Sequence, residues 1–150
     1  MQYSPESWEI PKEIMDETTR ALSHQHEVFV LWTAKRSEVV PRCRICRIVI
    51  PRQIPESSIL GVSVRIDGDE LARIVYDNYT RGEKSVVQLH THPGRSVVMS
   101  GLDHEREVVR HPGALSIIVP WYARDGLPSV RRTDPGSSRV MTHLSRTSIS

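Results

Sequence analysis

Five apolar side chains follow one another in the run Val28, Phe29, Val30, Leu31 and Trp32. Rich in β-branched and aromatic residues, residues 26–34 read as a strand. A strand that is apolar at every position has no face to show to water, so it needs cover on both sides. A sheet with a layer on each face is the arrangement that meets this demand. The rest of the chain supplies the pieces.

Residues 11–25 read as a helix, with Pro11 in its first turn and Ile14, Met15, Thr18, Ala21 and Leu22 on one stripe. Residues 38–50 give a second strand ended by Pro51. Pro55 with Ser57 and Ser58 marks a loop, and residues 60–66 form a third strand. Asp67 and Glu70 form a capping arrangement for a second helix. Its buried face is expected at Leu71, Ile74, Val75 and Tyr79, and Gly82 supplies its C-terminal stop. Then come a strand at 85–92, a short helix from 100 to about 110, the separator Pro112–Gly113 and a buried strand at 115–119. This alternation predicts an α/β fold, a mixed β-sheet flanked by helices.

At 150 residues the chain suits one domain with a sizeable core. Residues 1–133 are expected to form it. Residues 134–150, rich in Ser, Arg and Thr, are expected to be a flexible C-terminal tail. A formal net charge of +2 gives no reason to expect nucleic acid or an anionic membrane as partner. No apolar run approaches membrane-spanning length, and Met1 to Ser7 lacks a signal-peptide layout, so the expected location is cytoplasmic. Cys43 and Cys46 form a lone C-x-x-C inside a strand. With no other cysteine in the chain they read as small packing residues rather than a redox pair or a second metal site.

The chemistry is concentrated in Gln88-Leu-His-Thr-His-Pro-Gly94, followed by Ser100 and Asp103. On a strand, Gln88, His90 and His92 share one face and Val87, Leu89 and Thr91 the other. Two imidazoles two residues apart, about 6–7 Å at the backbone, can lean onto one ion. Catalytic zinc typically keeps three protein ligands and an open position for water. Asp103, in the opening turn of the next helix, is the natural third ligand beside His90 and His92. Each part also has a plainer reading: an isolated H-x-H often means nothing, and Ser-x-x-Asp is commonly a helix N-cap. Their joint occurrence points to metal.

Together these residues resemble the JAMM motif of the MPN+ (JAB) metalloprotease family, which has an upstream Glu, then H-x-H-P, with seven residues between the second His and S-x-x-D. Residues 93–99 supply that interval without insertion or deletion, and Glu27 takes the place of the upstream Glu. The resemblance runs from about residue 10 to about residue 122. It implies an MPN fold similar to that of cytidine deaminases, and one Zn2+ per chain held by His90, His92 and Asp103. It also implies zinc-assisted amide hydrolysis, with Glu27 as the catalytic proton acceptor. Ser100 would be the catalytic oxyanion donor, a role worth about 2.7–4 kcal/mol in other enzymes. Other zinc motifs fail. His104-Glu-Arg-Glu is followed by Val108 rather than His, and the deaminase pattern H-x-E with a later P-C-x-x-C is absent. His104 and His111 therefore read as surface or supporting residues, and His24 and His26 stand near the presumed start of the Glu27 strand.

The resemblance further implies a ubiquitin-like protein, or its conjugates, as substrate, cut by deconjugation or by precursor processing. Stand-alone bacterial members accompany ubiquitin-like proteins and their activating or conjugating enzymes, some in antiviral defence and others with sulfur-carrier proteins. A flexible tail laid along a sheet edge is the expected binding mode, with residues 51–60 and 119–128 as the lining segments. The competing reading is a non-catalytic MPN module that binds a ubiquitin-like or complex partner.

Overall fold

The computed structural model describes residues 5–58, 61–92, 109, 114–124, 127 and 140–141. Along the chain these form β1 (Ser7–Glu9), α1 (Lys12–Leu22), β2 (Phe29–Lys35), β3 (Arg42–Val49), β4 (Ile54–Ser58), β5 (Gly61–Arg65), α2 (Gly68–Arg81), β6 (Glu83–Thr91), β7 (Leu115–Val119) and β8 (Val140–Met141). Six strands make one mixed sheet in the order β1-β3-β2-β6-β7-β8, and β4 with β5 makes a separate two-stranded sheet. β2 is antiparallel to both β3 and β6, whereas β6 and β7 run parallel. Among the described residues no helix is long and apolar enough to cross a membrane.

The apolar run in β2 does what its composition demands. Val30 and Trp32 pack on one face of the sheet with Ile14, Met15 and Leu22 of α1, and with Val87, Leu89, Ile117 and Val119. Phe29 and Leu31 pack on the other with Ile74 of α2, Val49, Val64, Val109 and Ala114. The α/β expectation is met, with a helix on each face. The stripe of α1 is as expected, and buried Thr18 adds a polar pin: its hydroxyl accepts the Trp32 indole N–H at 2.8 Å and donates to Ile14 O at 2.6 Å.

Three expectations need correction. The segment read as a loop around Pro55 is strand β4, paired with β5 from Ile54↔Arg65 to Ser58↔Gly61. A strand with one free edge tolerates proline, because alternate N–H groups there have no ladder partner to lose. The buried face of α2 is only in part the expected one, holding Ile74 but also two polar residues. Glu70, Ile74 and Asn78 are buried, while Val75 and Tyr79 are 67% and 72% exposed. Finally, Asp67 makes no side-chain cap bond. It pairs with Arg65 at 3.5 Å instead, and Glu70 turns inward to accept the Arg52 backbone N–H at 2.5 Å and the Arg73 guanidinium. These donors, Arg73 foremost, hold the Glu70 carboxyl below its usual range. The C-terminal stop is as expected: Gly82 has φ 66°, which a glycine adopts without strain.

Val140–Met141 lies beside β7, inside the segment expected to be a tail, with Ser116↔Val140 and Ile117↔Met141 as partners. The helix expected from residue 100 to about 110 falls almost wholly outside the described residues.

Candidate metal centre

β6 is well covered, with every residue from Val86 to Thr91 buried. It is flanked on both sides, and His90 pairs with Phe29 of β2 and with Ile118 of β7. His90 is 3% exposed, and its ring lies nearly parallel to the Phe29 ring, with 7° between the planes and 5.9 Å between centroids. His92 stands just past the end of β6. Its N–H donates to Val119 O and its carbonyl accepts from the Tyr122 N–H, both at 2.9 Å.

These two placements bring the rings together. The Nε2 atoms of His90 and His92 are 3.1 Å apart, with ring centroids 4.9 Å apart. Two nitrogens held tetrahedrally at the usual zinc–nitrogen length of about 2.0–2.1 Å would lie about 3.3–3.4 Å apart. The pair therefore fits a shared ion by both chemistry and spacing.

Glu27 comes to the same end of the sheet from β2. Thr91 N–H donates to Val28 O at 3.1 Å, and Val28 N–H donates to the Thr91 hydroxyl at 2.9 Å. These bonds continue the antiparallel register of Phe29↔His90 past the strand end, which carries Glu27 to the level of His92. Glu27 is 5% exposed, an uncommon place for a carboxylate without a task or a partner. Among the described residues no group of three His, Cys, Asp or Glu side chains is arranged to hold a metal, so Glu27 does not close a cage with the histidines. Asp103, the expected third ligand, and Ser100, the expected oxyanion donor, lie outside the described residues, as do His104 and His111.

His24 and His26 are both exposed and stack on each other at 5.3 Å, and His26 bonds through Nδ1 to the Glu27 carbonyl. The cysteines divide between the faces of β3. Cys43 is buried, and burial pushes its thiol up to about 12, which suits an inert packing residue. Cys46 is exposed, with its sulfur 3.8 Å from the Thr33 hydroxyl, so the packing role expected for it is not the one it has.

Two features of the site escape a reading of the sequence. The Gln53 side chain bonds both the N–H and the carbonyl of Phe29. After β7 the chain turns through Trp121, Tyr122 and Ala123 with φ of 57°, 49° and 58°. The left-handed region costs a non-glycine residue about 1–2 kcal/mol, and this turn delivers the N–H that holds His92. Neither residue type signals such a role: no glycine or asparagine marks the turn. Both features fall in segments expected to line the site.

No protein-family model matches the chain. Over 100 residues, 67% of this chain, it is 34% identical to a protein of Sinorhizobium fredii named as a probable metalloprotease. The chain covers 60% of that relative's length. Among solved structures, the solution structure of a Desulfitobacterium hafniense protein superposes with a TM-score of 0.56. It covers 87% of this chain and 78% of the other at 16% identity, a likeness of fold alone.

Proposed function

We propose that this chain is a zinc metallopeptidase of the JAMM type, acting on the bond that follows the C-terminus of a ubiquitin-like protein. The observation that carries the reading is the convergence of His90 and His92 at 3.1 Å, with buried Glu27 brought to the same sheet end. The likeness to a probable metalloprotease supports the coarser part of it. His90 and His92 would hold the ion, with Asp103 as third ligand. When bound, zinc supplies an activated water and polarises the scissile carbonyl.

Glu27, level with His92 when the register of β2 and β6 is continued, would take the water's proton and pass it to the departing amine. Its burial keeps bulk water from competing for that proton. The low exposure of the His90 side chain and the two bonds that hold the His92 main chain limit the freedom of the pair before substrate arrives, which would lower the cost of assembling the site. Ser100 is assigned the oxyanion. The substrate class follows from the family resemblance: the remote globular part of a ubiquitin-like protein would supply binding energy to seat its tail. Its activating or conjugating enzymes would be the associated partners.

Glu27→Gln tests the reading. The variant should keep about one equivalent of zinc and lose about 10²–10⁴-fold in turnover of a ubiquitin-like fusion. Loss of zinc would make Glu27 a ligand, and full turnover would place the base elsewhere; either result overturns the assignment. A matched short tail peptide should be cut far less well than the fusion. Equal rates on the two would replace the deconjugase by a general peptidase. A wild-type protein that binds zinc and conjugate yet cuts nothing would leave a binding module.

A further inference from the structure

Gln53 occupies a gap that proline opens in the sheet. β3 pairs with β2 through Leu31↔Val49, and the same antiparallel register brings Phe29 opposite Pro51. Such a pair would exchange two backbone hydrogen bonds, but proline has no N–H to give. The Gln53 carboxamide stands in. Its Oε1 accepts the Phe29 N–H at 2.7 Å, and its Nε2 donates to Phe29 O and to Pro51 O, each at 2.9 Å. A side-chain amide offers one acceptor and two donors, and here each has a partner. Glutamate has the same size without the donors, and methionine lacks both functions.

The clamp acts on Phe29, whose ring stacks on that of His90. With its backbone fixed on the β3 side, Phe29 holds its ring parallel to the His90 imidazole. We propose that Gln53 is a positioning residue for His90, setting the aim of that imidazole through Phe29. The inference rests on the reading of His90 and His92 as a metal pair. Groups that orient a ligand from behind typically change metal affinity by about 10–100-fold when removed.

Cobalt(II) is the probe, because its visible absorption reports ligand geometry independently of turnover. Wild-type protein, Gln53→Met and Gln53→Glu are titrated with cobalt, with circular dichroism recorded on each to show that the sheet is intact. Both variants should bind about tenfold more weakly, with altered band positions. Phe29→Leu should produce a comparable change, and Gln53→Met combined with Phe29→Leu should add little to either alone. If wild-type protein binds no cobalt, the metal reading itself fails. If wild-type protein binds it and Gln53→Met gives the same affinity and spectrum, only the role of Gln53 is overturned. Should Gln53→Glu fold poorly, Gln53→Met decides, since it introduces no charge. Additive losses in the double variant would break the link through Phe29.

Discussion

Replacing Glu83 by glutamine should destabilise the fold at neutral pH and leave it little changed in acid. Glu83 opens β6 and is 4% exposed. Its carboxylate accepts from Arg47 Nε at 2.8 Å and the Thr33 hydroxyl at 2.9 Å, and lies 3.5 Å from Lys35 Nζ. Burial alone would push this carboxyl up. The donors, Arg47 and Thr33 first, outweigh it and hold the group below its ordinary value of 4.5. A carboxyl depressed in the fold contributes stability above its unfolded value and loses it as pH falls through the folded one. A hydrogen bond to a charged group contributes about 1.5–3 kcal/mol, and breaking a fully buried ion pair costs about 3–5 kcal/mol. Arg47 remains partly exposed and keeps Asn78 Oδ1 at 2.8 Å and Asp77 at 3.5 Å, so the lower range applies. The expected loss is about 2 kcal/mol near neutrality. Urea unfolding of both proteins, in chelator so that metal plays no part, measures it. The difference between them should shrink as pH falls below about 4.5, where the carboxyl of the unfolded chain takes its proton, and on through the lower folded value. A loss that is the same in acid, or no loss at neutrality, would refute the reasoning.

His90→Ala or His92→Ala should each remove most of the bound zinc, because both imidazoles converge on the ion's position; metal analysis retaining a full equivalent in both would reject the site. Thr18→Val keeps the shape of the side chain but strands the Trp32 indole N–H. It should cost about 1–3 kcal/mol in thermal or urea unfolding, with a shift in tryptophan emission. Ile74→Ala should cost about 2–5 kcal/mol, whereas Tyr79→Ala on the exposed face should stay within about 0.5 kcal/mol, and equal costs would contradict the observed helix face.

The parts of the fold that were legible in the sequence are those fixed by local pattern. The run at Val28 to Trp32, the stripe of α1 and the glycine ending α2 carry their meaning within a few residues. α2 misleads because its buried side is partly polar. Glu70 and Asn78 pay for burial with bonds to Arg52, Arg73, Arg47 and Ser85, partners 3 to 31 positions away. Helical periodicity sees the apolar Val75 and Tyr79 and has no view of those partners. Pro55 misleads in the same way, since its tolerance depends on the free edge that β4 presents.

The candidate site follows the same division. The shared face of His90 and His92 was legible from strand alternation, whereas Glu27 was expected from the family resemblance. The means of holding them in place were not legible. Gln53 matters only because Pro51 falls opposite Phe29, and the turn at Tyr122 only because His92 outruns its strand by one residue. Both arise where β6, β7 and the start of β2 come level, at the carboxyl ends of two parallel strands, where open α/β sheets commonly bind their ligands. At that edge the backbone ladder runs out, so His92 and Phe29 need other partners for their amide groups. The turn and the glutamine provide them, so the groups that complete the sheet's hydrogen bonding also limit the freedom of the two imidazoles.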